Sequence, residues 1–319
     1  MLEKLATIAK EMRQGQAALR EKARGLRGRV AIHRVQAVPV SLSVCAVDGG
    51  LLSHRMHGAD IVVARAVGVN FVYRDSSLVS FAYHPGRSPE PEIEIRNSLD
   101  EHDSAAFRSL VRLKHELSCA ISSLEELSPQ MLLMDGSLLP LPSDRPGDDS
   151  ELRPLYDEVL GLYRKLYGAS GARGCMLCGV IKDSRSRKLS KEVGAGCSDS
   201  LLCSYLLDEG ERTGEMKYFE DKVPNKELAA LGEGIQVFYL KPSKSDLPLR
   251  IEVLDSDVSR AASVICALSS ISESFAYPAV LIEADMCAAL EPAELESIEA
   301  SLQTLSGMRP LRRNSRPFR

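Results

Sequence analysis

Two short apolar runs, each ending in an aspartate and a glycine, constrain this chain more than anything else in it. The first is Val44-Cys45-Ala46-Val47-Asp48-Gly49-Gly50, and the second is Met131-Leu132-Leu133-Met134-Asp135-Gly136-Ser137. A short apolar run bounded by turn signals reads as an interior strand. Each copy would therefore deliver one carboxylate to the edge of a sheet. Asp-Gly after a strand is also an ordinary turn, because glycine reaches positive φ at little cost. For either copy alone, the turn is the simpler reading.

The segments between the copies change that balance. Residues 41–47 form the first strand, and residues 60–73 and 78–83 are β-branched and aromatic. They read as antiparallel neighbours joined by the polar turn Arg74-Asp75-Ser76-Ser77. Residues 84–91 hold Pro85 and Pro89, with Pro91 at the end, and read as a loop. From 99 to 127, Phe107, Leu110, Leu113, Leu117, Ile121 and Leu124 recur at helical spacing until Ser128-Pro129. The strand 131–134 follows. Strand, hairpin, helix and strand make the first and fourth strands parallel neighbours through a right-handed crossover. Asp48 and Asp135 then stand side by side, because strands lie about 4.8 Å apart. This order is expected of a ribonuclease H-like sheet, a mixed α/β fold with flanking helices. Hard dications favour carboxylate oxygens, and a pair of them can activate water and stabilise the leaving oxygen of a phosphodiester.

Further along, 139–150 is a breaker-rich loop and 151–168 a helix. The strand 175–181 leads into Lys182-Asp183-Ser184-Arg185-Ser186-Arg187-Lys188. A helix at 199–208, strands at 235–240 and 249–254, and helices at 257–271 and 279–306 complete the reading. There is no internal repeat and no clean linker. The organisation expected is a helical basic arm at 1–36, one α/β domain at 37–307 and a basic tail at 308–319.

Composition narrows the function. Of 319 residues, 44% are apolar, enough for a full-sized core. Aromatics are 5% and Trp is absent, which argues against base stacking as the main mode of nucleic-acid binding. The net charge of −4 argues against a globally basic DNA-coating protein but leaves room for a local basic groove. Eight scattered cysteines, several within apolar runs, read as buried thiols in a reducing compartment. Cys175-Met-Leu-Cys178 has no second pair to complete a zinc site. The N-terminal residues show no signal-peptide pattern and no run reaches membrane-spanning length, so a cytoplasmic protein without a membrane association is expected. No GxxxxGK[ST] phosphate loop and no serine-nucleophile elbow are present.

Other residues could join the two aspartates. Glu116 lies beside Leu117 at the margin of a buried helical stripe, where an acid needs a partner. A metal is one partner, and Arg112 or Lys114 is the plainer alternative. Glu125 and Glu126 read as solvent-facing. Lys182 could meet a scissile phosphate while Arg185, Arg187 and Lys188 hold the backbone, although a polar loop would look the same. Tyr277-Pro278 reads as a helix start, with Glu283 and Asp285 on different faces. The cluster Arg20, Lys22, Arg24, Arg27, Arg29 and Arg34 reads first as a solvated helix face and second as a phosphate- or partner-binding arm.

In this order, the blocks resemble the NurA nuclease family. They are Val-Asp48-Gly-Gly, the helix with Glu116, Leu-Met-Asp135-Gly-Ser-Leu, Gly179-Val-Ile-Lys182-Asp-Ser-Arg-Ser and Tyr277-Pro with Glu-Ala-Asp285. The resemblance spans roughly residues 40–290. It implies a ribonuclease H-like fold and a Mn²⁺-dependent nuclease, with Mg²⁺ as the alternative ion. It further implies single-strand endonuclease and 5′→3′ exonuclease action on DNA, a homodimer, and work with the hexameric HerA ATPase in end resection. Carried over by motif, the metal ligands are Asp48, Glu116, Asp135 and Asp285, with Tyr277 near the site. Asp285 departs from many relatives, which carry a His there.

Two rival readings differ in class. One is a non-catalytic subunit that guides DNA or binds the ATPase, motivated by the altered position 285. The other is an ATP-handling ribonuclease H-like protein, which would need a second, similarly built half that the chain lacks.

Overall fold

The computed structural model describes residues 2–219 and 226–307. The basic stretch 308–319 lies outside the described residues. In chain order the elements begin with α1 (Leu2–Leu26), β1 (Ile32–Arg34), β2 (Ser43–Arg55), β3 (Ala59–Arg74), β4 (Ser77–His84), β5 (Glu92–Asn97) and α2 (Glu101–Leu127). They continue with β6 (Met131–Asp135), a 3-10 turn at Pro142–Asp144, α3 (Arg153–Arg173), β7 (Met176–Ile181), α4 (Lys188–Glu192), α5 (Asp199–Leu206), β8 (Glu211–Thr213) and β9 (Met216–Lys217). The last are α6 (Lys226–Gly232), β10 (Ile235–Lys241), β11 (Leu249–Leu254), α7 (Val258–Leu268), α8 (Ala279–Ala288) and α9 (Pro292–Ser306). The fold is mixed α/β.

The chain forms two compact units. One contains the described residues of Ser41–Leu177, Lys222–Gly232 and Val280–Arg319. Its strands run in the order β6-β2-β3-β4, with β5 also paired to β3. Asp75 and Ser76 both take positive φ (48° and 62°), the two-residue turn whose twist suits the β3–β4 hairpin. The side chain of Asp100 accepts from the Asp103 N–H at 2.8 Å and caps the start of α2, and Ser128 ends that helix in the left-handed region. One face of α2 buries Phe107, Leu110, Leu117, Ala120 and Leu124, all 1% exposed or less. It packs against β2, β3 and α3, and each large side chain so buried contributes roughly 1.5–3 kcal/mol. β3 is buried along most of its length because a second apolar layer covers it. There Met56, Ile61 and Val63 meet Leu290, Leu295, Ile298 and Leu302.

The other unit contains the described residues of Met1–Val40, Cys178–Asp221 and Glu233–Ala279. Its strand order is β1-β8-β10-β11-β7, with β9 on β10. The later part of α1 packs on α5 through Leu19, Ala23 and Leu26, against Leu202, Cys203 and Leu206.

Three sequence-based expectations change. The strand at 41–47 does not stop before Asp48. It continues through Gly49 and Gly50 to Arg55, paired with β3 throughout. The single helix at 279–306 is two helices, because Pro292 has no N–H to give a continuing helix and its ring would clash with the preceding turn. Glu294 instead accepts from the Glu291 N–H at 2.8 Å and opens α9. β5 lies between the loop read at 84–91 and the helix read from 99, where the prolines before it masked the alternation Glu92-Ile-Glu-Ile-Arg.

Candidate metal centre

β2 and β6 are parallel neighbours in the register Val44↔Met131 to Val47↔Met134. The next residue on each strand is an acid, Asp48 and Asp135. Asp48 is 6% exposed and stands in mid-strand, while Asp135 ends β6 and is half-buried. Asp285 comes in from α8 and is exposed. One carboxylate oxygen from each of Asp48, Asp135 and Asp285 lies within 4.8 Å of the other two.

The glycines after Asp48 make room for this arrangement. Side chains alternate along a strand, so Asp48 and Gly50 share one face of β2 and Gly49 takes the other. A Cβ at Gly50 would stand 1.9 Å from the Ala288 carbonyl oxygen at the end of α8. A Cβ at Gly49 would stand 2.7 Å from Cγ and Oε1 of Glu116 on α2. Both helices therefore close on bare backbone, one from each side of the strand. On the Gly50 face, the buried Arg65 donates to the Ala289 carbonyl at 3.1 Å and pairs with Glu294 at 2.6 Å. It ties the end of α8 to the start of α9.

Burial pushes the carboxyl of Asp48 up to about 8, reinforced by repulsion from Asp135, Glu116 and Asp285 and opposed by the Gly49 N–H, which donates to Oδ1 at 2.7 Å. Glu116 is 3% exposed, and burial raises it to about 7. Arg112, one turn earlier on α2, donates to Glu116 Oε1 at 2.9 Å and pulls the other way. The guanidinium of Arg112 is itself held above its usual range by Glu116. Glu116 thus has an ion-pair partner and stands behind Gly49, outside the trio of close oxygens. The trio fits a hard divalent cation: it is an all-oxygen donor set around an acid that burial, reinforced by repulsion from its acidic neighbours, holds back from ionising. A dication would offset that repulsion.

The remaining sequence candidates belong to the other unit. Lys182 follows β7, and its ammonium lies over the Tyr277 ring, 4.7 Å from the centroid. Tyr277 is buried and donates from its hydroxyl to the Val180 carbonyl at 3.2 Å. Arg185 and Arg187 are exposed, whereas the Lys188 ammonium donates to the Lys217 carbonyl. In the carboxylate unit, Glu283 accepts from the Tyr83 hydroxyl at 2.8 Å and takes no part in the trio. Glu125 and Glu126 are exposed. All eight cysteines are free thiols, and burial pushes Cys119 up to about 11 and Cys175 up to about 12. No helix among the described residues is long and apolar enough to cross a membrane.

Two residues of the carboxylate cluster's surroundings escaped the sequence reading. Asp144, in the 3-10 turn, accepts from Ser109 Oγ at 2.8 Å and adds to the negative field at Glu116. Arg65 sits in a strand of apolar neighbours with only its charge as a signal.

The NurA domain family matches the chain over residues 42–290, from the start of β2 to just beyond α8. The chain belongs to the NurA family. No curated protein sequence matches it. Among solved structures, the NurA nuclease from Sulfolobus solfataricus superposes with a TM-score of 0.65 at 16% identity, covering 95% of this chain and 97% of that one. A NurA structure with bound dAMP and manganese gives a TM-score of 0.60 at 13% identity, covering 96% and 97%. A NurA structure with manganese gives 0.59 at 13% identity, covering 95% and 98%. At these identities the likeness is one of fold, and this chain shares the mixed α/β NurA fold over nearly its whole length.

Proposed function

We propose that this NurA-family chain is a divalent-metal-dependent deoxyribonuclease. The observation that carries the reading is the trio Asp48, Asp135 and Asp285, with an oxygen of each within 4.8 Å of the others. In this reading the three carboxylates hold Mn²⁺, or Mg²⁺, and Glu116 supports the site from behind Gly49. When bound, a divalent cation supplies Lewis-acid polarisation of the phosphodiester and a source of hydroxide at neutral pH. Asp48 is oriented by its bond from the Gly49 N–H. Arg112 donates to the buried Glu116 and opposes the rise that burial imposes on its carboxyl. Lys182 offsets charge at the phosphate from its seat on Tyr277, and Arg185 and Arg187 hold the nucleic-acid backbone, with Lys188 behind them.

The finer assignment follows the family resemblance. The protein is proposed to act as a single-strand endonuclease and 5′→3′ exonuclease, as a cytoplasmic homodimer, with a HerA-type hexameric ATPase in DNA end resection. The domain reading that accompanies it is a nuclease domain at 37–307, a basic arm at 1–36 and a basic tail at 308–319.

Degradation of labelled linear DNA with Mn²⁺ tests the core of this reading, using the natural protein, Asp48→Ala and Asp135→Ala. Cleavage is expected from the first alone. Undiminished cleavage by both variants would sink the metal-site assignment. Calorimetric titration with Mn²⁺ provides a readout that does not depend on turnover. Co-purification with a hexameric ATPase and size-exclusion chromatography test the partner and the oligomeric state.

A further inference from the structure

The stretch Ser184-Arg185-Ser186-Arg187 alternates in the structure as it does in sequence. Ser184 is buried and Ser186 half-buried, while Arg185 and Arg187 are exposed. The inward serines end on the first turn of α5. Ser186 Oγ donates to Asp199 Oδ2 at 2.9 Å, and the Ser186 carbonyl accepts from the Asp199 N–H at 2.8 Å. The Ser190 N–H donates to Asp199 Oδ1 at 2.7 Å. One residue on, Ser200 Oγ donates to the Ser184 carbonyl at 3.0 Å. The Tyr239 hydroxyl, from β10, donates to Asp199 Oδ2 at 3.0 Å.

Asp199 is therefore a fully buried carboxylate, 0% exposed, with both oxygens occupied. Two of its four bonds go to Ser186 in the basic loop, one to Ser190 in α4, and the fourth to Tyr239 in the sheet. A buried acid with every bond satisfied is costly to disturb, because a lost donor leaves it uncompensated. The loop is pinned at this point. Without it, two arginines in the six-residue segment between β7 and α4 would sample many orientations, and each would lose that freedom on meeting a phosphate.

We propose that Asp199 is a positioning residue for nucleic-acid binding: through Ser186 and Ser190 it sets the outward presentation of Arg185 and Arg187 to a phosphodiester backbone. The inference rests on the nuclease reading above for the identity of the ligand. It adds a residue that does not touch DNA and a mechanism of pre-organisation.

The test uses the full chain and a fluorescent single-stranded oligonucleotide, with chelator present so that no cleavage occurs. Affinity is measured across a range of salt for the natural protein, D199N, S186A, R185A/R187A, and D199N added to R185A/R187A. Loss of both arginines is expected to weaken binding about tenfold and to flatten the dependence of log affinity on log salt by roughly 1–2, one contact per guanidinium. D199N and S186A are expected to weaken binding about three- to tenfold and to flatten the same slope. D199N should have little further effect once the arginines are gone, since its influence passes through them. Mn²⁺ titration and turnover at saturating DNA should be unchanged in S186A, with the loss appearing in KM.

An unchanged slope in D199N and S186A overturns the proposal. So does an equal, additive loss in the R185A/R187A background, which marks a general structural effect. If D199N does not fold, S186A carries the test, because it removes one bond and leaves the carboxylate in place. Failure of the natural protein to cleave DNA with Mn²⁺ marks instead the failure of the nuclease reading, and binding that ignores R185A/R187A overturns the loop's role at its root.

Discussion

Glu116 occupies the space that a side chain on Gly49 would need: a Cβ there would lie 2.7 Å from Oε1 of Glu116. The acid and the glycine are 67 positions apart in sequence, yet each is the reason the other can stay. The same holds on the opposite face for Gly50 and the Ala288 carbonyl. The two contacts differ in what must give way. At Gly49 the obstacle is a side chain, Cγ and Oε1 of Glu116, and at Gly50 it is helix backbone.

Gly50→Ala should therefore be the more damaging of the two changes. It is expected to push α8 and Asp285 away from Asp48 and to cost about 1–3 kcal/mol or more in stability, with Mn²⁺ affinity reduced at least tenfold. Gly49→Ala should displace Glu116 alone, with a smaller loss of stability and a weaker effect on metal binding. Thermal melts and Mn²⁺ calorimetry on both variants check this, and equal effects would contradict the difference in what each Cβ meets.

Asp48→Asn should separate stability from activity. Asparagine keeps the shape and the acceptor for the Gly49 N–H but removes a buried charge repelled by Asp135, Glu116 and Asp285. The metal-free variant is expected to melt at a higher temperature than the natural protein at pH 8 while losing Mn²⁺-dependent DNA cleavage by 10²-fold or more. Melting in chelator and a cleavage assay provide the two readouts.

The pH dependence of the metal-free chain follows from the same residue. The carboxyl of Asp48 is raised from 3.8 to about 8 in the folded chain. Between these values the folded state holds a proton that the unfolded state has released. Stability therefore falls as pH rises through this window. Glu116, raised to about 7, acts in the same direction. In chelator, the melting temperature is expected to drop by roughly 3 °C or more from pH 5 to pH 8. Mn²⁺ should reverse that drop, with its largest stabilisation at the alkaline end, where proton competition is weakest. A flat profile in chelator would contradict the burial of Asp48 among like charges.

Arg112→Ala should expose the dependence of Glu116 on its partner. Removing the guanidinium leaves a buried acid without its ion pair, and Arg112 is partly exposed, so a cost of about 2 kcal/mol is expected. Adding Glu116→Gln should recover part of it. Urea melts of the two single variants and the double variant give the coupling, which should be favourable. Additive losses would mean that the pair carries no mutual stabilisation.

The parallel adjacency of Asp48 and Asp135 was legible in sequence because it follows from counting: a strand, a hairpin and a helix return the chain alongside its start. The periodic face of α2 and the β3–β4 turn were legible for the same local reasons. The role of Gly49-Gly50 was not. Glycine pairs after a strand read as a turn, and only the approach of α2 and α8 from far along the chain turns them into clearance within a strand. The break at Pro292 was marked in sequence by the proline itself, against an apolar spacing that runs through it. Asp199 left no signal, since an acid in the first turn of a helix is ordinary capping chemistry. Its partners, Ser186, Ser190 and Tyr239, are brought to it by the fold.

Because β2 runs on past Asp48, the first aspartate is held within an unbroken ladder of backbone hydrogen bonds. Its amide neighbours should exchange with solvent only when the whole unit opens. The centre thus joins a residue held within a sheet, Asp48, to one carried on a helix, Asp285. Asp285, exposed where Asp48 is buried, is the side of the centre that solvent reaches.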